Sequence, residues 1–111
     1  MKYMKNDKRL TIRNSTAEFL TFTSQAGEDG IEVRVEDENV WLTQKLIAKL
    51  FGVEVNTINY HIKEIFNTGE LQEAVTVRNF RIVQTEGGRE VSRVIEHYNL
   101  QGIIAIGFRV N

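Results

Sequence analysis

The spacing of apolar residues changes along this chain, and the changes mark its elements. From Ile31 to Val35 apolar and charged residues alternate strictly (IEVRV), as in a half-buried strand with Ile31, Val33 and Val35 facing inward. The aromatic and β-branched run over 18–23 reads as its partner strand, and Gly27-Glu28-Asp29-Gly30 supplies turn chemistry between them. A second turn over 36–39 leads to a short strand at Val40-Trp41-Leu42. From Thr43 the period lengthens. Leu42, Leu46 and Leu50 recur at spacing four with Ile47 and Phe51 beside them, which predicts an amphipathic helix. Ile58, Ile62 and Ile65 predict a second one.

The punctuation fits two short helices. Thr43 is placed to cap the first through its hydroxyl. Gly52 can take the positive φ that ends a helix and turns the chain, and Ala48 is small where two helices must cross closely. Asn67-Thr68-Gly69 stops the second helix. The segment 43–66 therefore reads as a helix-turn-helix, which places a helix in the DNA major groove. Two β-rich runs around Gly87-Gly88 follow as a hairpin over 75–98, the position of a wing. Asn99 then reads as a cap for the apolar segment 100–108, either a short helix or a buried strand, with Gly102 and Gly107 weighing against helix. The expected fold is α+β, a winged helix-turn-helix with an N-terminal β-hairpin and a short C-terminal apolar segment. Residues 14–111 form its single domain and 1–13 a flexible basic arm.

Composition narrows the function classes. The chain has 111 residues, 41% hydrophobic and 26% charged, within the ordinary globular range. It has no cysteine, so disulfides and thiolate metal sites are excluded. The sequence holds no apolar run of membrane-spanning length, and its basic start lacks the apolar segment of a secretory signal, so a cytoplasmic protein is expected. The net charge is −1, but it is unevenly spread. Lys2, Lys5, Lys8, Arg9 and Arg13 make the first residues basic, whereas 28–40 hold six acids against Arg34. That acidic segment must point away from any phosphate backbone.

The inward isoleucines fix what the second helix presents outward: Glu54, Val55, Asn56, Asn59, Tyr60 and Lys63. Asn56 and Asn59 can make bidentate bonds to adenine, Tyr60 can donate to phosphate, Lys63 can reach phosphate or guanine, and Val55 can meet a thymine methyl. Thr43, Gln44, Lys45 and Thr57 complete the helix-turn-helix candidates, with Lys49 a further backbone contact. Arg89 sits at the wing tip, flanked by Arg81 and Arg93. Glu54 is dissonant: its carboxylate suits the helix dipole but repels phosphate, and it caps poorly. Asparagines at a helix start also serve as plain turn chemistry, and exposed lysines are ordinary surface residues. His61 and His97 lack metal-ligand spacing, and Gly87-Gly88 precedes no phosphate-loop pattern. No catalytic residue, metal or cofactor is therefore expected, and no small-molecule substrate or membrane is inferred.

The stretches IEVRVEDENVWLTQKLIAKLFGVEVNTINYHIKEIFNTGEL and HYNLQGIIAIGFRVN resemble the N-terminal region of the RhuM family of virulence-associated, mobile-element proteins. The resemblance runs from about residue 18 to residue 111 and implies a bacterial DNA-directed module. It departs at Glu54-Val55, where family members commonly carry a small polar or charged residue followed by Arg. Family chains are usually longer, so a truncated or excised N-terminal domain is expected. Ile103, Ile104, Ile106 and Phe108 must pack on this domain, pair with a second copy or await further sequence. A homodimer is favoured. The sequence thus points to a transcriptional regulator or DNA-docking domain that binds double-stranded DNA, with a protein-interaction module as the alternative.

Overall fold

The computed structural model describes Phe19 and residues 31–110. Within them the order is β1 (Arg34–Glu36), β2 (Asn39–Thr43), α1 (Gln44–Phe51), α2 (Val55–Asn67), α3 (Glu73–Thr76), β3 (Val77–Glu86), β4 (Arg89–Asn99) and α4 (Leu100–Val110). The strands form one antiparallel sheet in the order β1-β2-β4-β3. The fold is therefore α+β. The basic arm over 1–13, the turn over 27–30 and most of the expected strand over 18–23 lie outside the described residues. Phe19 is the exception: it is helical and fully buried, which corrects the strand expectation there.

Two tight turns organise the sheet. Gly87 and Gly88 join β3 to β4 with φ of 59° and 81°, the doubly positive geometry that matches strand twist. Asp37 and Glu38 join β1 to β2 with φ of 53° and 59°, the same geometry without glycine. This is the turn expected over 36–39, and the short strand expected after it is β2. β1 begins only at Arg34, its partner is β2, and Val35 is 52% exposed rather than inward. Ile31 and Val33 lie outside any strand but are partly buried against the core.

Strand alternation separates the sheet's faces. Val40, Leu42 and Tyr98 point into the core beneath the helices, where Ile47, Ala48, Ile58, Ile62, Ile65, Ile103 and Ile106 meet them. Trp41, Phe80 and His97 lie on the opposite face, in edge-to-face ring contacts. Arg78 covers Trp41 at 4.5 Å, Arg34 covers Phe80 at 4.4 Å, and Arg78 also reaches Asp37 of the first turn at 2.7 Å.

The helix boundaries follow their caps. Thr43 Oγ1 accepts from Leu46 N at 3.2 Å, and Gly52 ends α1 at φ 69°. Val53 N closes the end by donating to Ala48 O at 3.0 Å, the longer-range bond of a glycine-terminated helix. Ile47 and Ala48 form the buried stripe of α1, while Leu46 and Leu50 are only half-buried at its margins. The apolar C-terminal segment resolves as helix. Asn99 Oδ1 accepts from Gly102 N at 3.0 Å, the capping bond expected there. The glycines that argued against helix are packing sites: a Cβ on Gly107 would lie 2.9 Å from the Phe51 ring, and one on Gly102 would lie 2.9 Å from Thr76. Ile103 and Ile106 are fully buried, so this segment packs on its own domain. Val75 and Thr76, expected to open the hairpin, belong instead to the single turn α3. No helix among the described residues is long and apolar enough to cross a membrane.

Candidate nucleic-acid interface

Ile58, Ile62 and Ile65 are buried along α2, so the helical period turns the opposite side of that helix outward. Glu54, Val55, Asn56, Tyr60 and Lys63 are exposed, Tyr60 by 61%, and Thr57 and Asn59 are half-buried. Glu54 occupies the N-cap position, but its side chain makes no capping bond. His61 is half-buried on the flank, with Nδ1 buried and unpaired. On α1, Lys45 and Lys49 are exposed. Thr43 is buried and its hydroxyl is committed to the cap.

The charge arrangement is selective. Arg34, Arg78, Arg93 and Arg109 are paired with Glu36, Asp37, Glu86 and Glu70. Lys45, Lys49, Lys63, Arg81 and Arg89 have no carboxylate partner among the described residues. Three of these five cations lie on the helix pair, and one of the others, Arg81, donates to Ser92 Oγ at 3.2 Å. The other two lie on the β3–β4 hairpin, with Arg89 beside its tip. Arg93, expected to flank the tip as a free cation, is held by Glu86 through two bonds of 2.6 and 2.7 Å. That pair lowers the Glu86 carboxyl and raises the Arg93 guanidinium from their ordinary values, chiefly through the hydrogen bonds.

Sequence reasoning missed the polar link between the two regions. Gln44 Nε2 donates to Tyr98 Oη at 3.0 Å and to Asn59 Oδ1 at 3.4 Å. Tyr98 in turn donates to Glu96 Oε1 at 3.1 Å. Burial is the main reason that the Tyr98 phenol is pushed up to about 12. A groove of about 1000 Å³ runs between hairpin and helices, lined in part by Lys45, Val55, Val83, Val94, Glu96 and Tyr98. Gln44 lies 54 residues from Tyr98, so no local pattern announces this contact.

A helix pair beside a β-hairpin, within an α+β domain built on one antiparallel sheet, is the class that fold and site define. Residues 75–111, which hold the hairpin and the last helix, match the family described as Virulence protein RhuM family. The match covers the C-terminal part rather than the span from residue 18, and the helix pair lies outside it. No curated protein and no solved structure matches the chain.

Proposed function

We propose that the chain is a winged helix-turn-helix module that binds double-stranded DNA, with α2 in the major groove and the β3–β4 hairpin as wing. The observation that carries this reading is the set of unpaired cations. Lys45, Lys49 and Lys63 on the helices and Arg81 and Arg89 on the hairpin lack carboxylate partners, while Arg34, Arg78, Arg93 and Arg109 are neutralised. Free cations on neighbouring elements suit a phosphate backbone, and they offset the unfavourable net charge of −1. Asn56, Tyr60 and Val55 on the exposed side of α2 supply the base-reading and positioning chemistry. The pairing of β2 with β4 supports the wing, because it fixes the hairpin root beside the strand that feeds α1.

A homodimer belongs to the same reading. Phe108 is 79% exposed on α4 and offers apolar surface to a second copy. Two copies would set their α2 helices one DNA turn apart, about 34 Å. A second reading, a protein-interaction module, is favoured by Val55, Val83 and Val94, which line the groove while 42%, 65% and 54% exposed. Fluorescence anisotropy on a randomised duplex pool at 50 and 200 mM salt, with sequencing of bound DNA, separates the two. Salt-sensitive binding with an enriched motif that Asn56→Ala erodes supports the DNA reading. No binding at the lower salt supports the other.

A further inference from the structure

The link from Glu96 to Asn59 has a direction that its chemistry imposes. An ionised carboxylate only accepts, so the hydroxyl proton of Tyr98 points to Glu96. The phenol oxygen must then accept from Gln44, which turns the NH2 end of that amide toward Tyr98. The second hydrogen of the same NH2 group meets Asn59, whose facing atom must be its carbonyl Oδ1. A single acceptor on the wing thereby orients two amides in succession. Asn59 Nδ2 has no partner among the described residues and is not among the buried orphan atoms, so it is the accessible end of that side chain.

We propose that Glu96 and Tyr98 act through Gln44 as positioning residues that set the base preference of Asn59. With Oδ1 held by Gln44, the accessible end of Asn59 is its NH2 group, which only donates. That set matches guanine, whose major-groove edge carries the acceptors N7 and O6 and no donor. It matches adenine less well, because the bidentate asparagine–adenine pair needs Oδ1 to accept from N6 while Nδ2 donates to N7. The bidentate adenine contact expected of Asn59 from sequence is replaced by a guanine contact, and Asn56, exposed and outside the network, keeps the adenine option. This inference rests on the DNA reading of α2.

The test uses the full chain and Glu96→Ala, with Glu90→Ala as a control for loss of charge on the same hairpin. In the free protein, two-dimensional ¹⁵N–¹H spectra should show the Asn59 carboxamide resonances moving in Glu96→Ala and staying in place in Glu90→Ala. Unmoved resonances in Glu96→Ala overturn the positioning link whatever the chain binds. In duplex selection, the unaltered chain should enrich guanine at one position. Glu96→Ala should shift that position toward adenine by about tenfold, because both amides can then invert, and leave the other positions alone. Gln44→Leu should produce the same one-position change by removing the middle of the link. Enriched motifs identical across the three proteins overturn the inference while the DNA reading stands. Moved resonances without duplex binding overturn the DNA reading and the base preference that rests on it.

Discussion

The helix pair and the β3–β4 hairpin lie side by side but are held by different forces. α1 and α2 owe their positions to burial: Ile47, Ile58 and Ile65 are almost completely removed from solvent, and α4 closes over them. The hairpin is buried only at its root, where His97, Tyr98 and Asn99 join the sheet. Toward Arg89 the residues of both strands are exposed or half-buried, and the cross-strand backbone hydrogen bonds do most of the holding. Under the proposed DNA-binding role, a rigid helix would fix where base-reading side chains sit, and a less anchored arm could adjust to a backbone whose shape varies with sequence.

The largest expected effect tests the buried half. Ile58→Ala should cost about 2–5 kcal/mol, read as a lowered denaturant midpoint, because the cavity opens beneath both helices. Gly107→Ala should cost about 1–3 kcal/mol, since its methyl group meets the Phe51 ring. A loss well below these values in both would show that the helix pair is less dependent on its core than described. Glu38→Gly should act in the opposite direction. It relieves a non-glycine residue at φ 59° and should raise stability by about 1 kcal/mol in urea unfolding.

His97 sharpens the comparison at the hairpin root. Burial holds its imidazole below the ordinary 6.5, so the unfolded chain binds more protons as pH falls through that value. Its contribution to stability is complete above 6.5 and fades below it, and His97→Gln should flatten that part of the pH–stability curve. The smallest effect belongs to the tip. Arg93→Ala should leave the thermal midpoint unchanged within error, because the Arg93–Glu86 pair is solvent-exposed and screened.

The difference between the regions also explains what the sequence reveals. α2 was legible because three isoleucines repeat at helical spacing and because Gly52 and Thr68-Gly69 bracket the helix. The second hairpin was legible because two glycines stand where two positive φ values are required. The turn over 36–39 and the strand after it were legible, whereas the strand before it was drawn too long, because Ile31 and Val33 alternate with charged residues like strand positions yet lie outside any strand. Within 100–108 the glycines read as helix breakers, since nothing local shows that a phenylalanine ring from α1 needs the room. For the candidate site, the outward residues of α2 followed from the period alone. How Gln44 joins Asn59 to Tyr98, and how Arg78 and Arg109 are neutralised, depend on partners far apart in the chain.

The salt dependence of duplex binding tests the central claim most directly, with the unaltered chain compared against Lys45→Ala/Lys49→Ala/Lys63→Ala. Five unpaired cations engaging phosphates predict a log–log slope of about −4.5, falling to about −1.8 in the triple variant with the fold intact. A slope near zero, or one that the triple substitution leaves unchanged, would contradict a DNA-binding role for this helix pair.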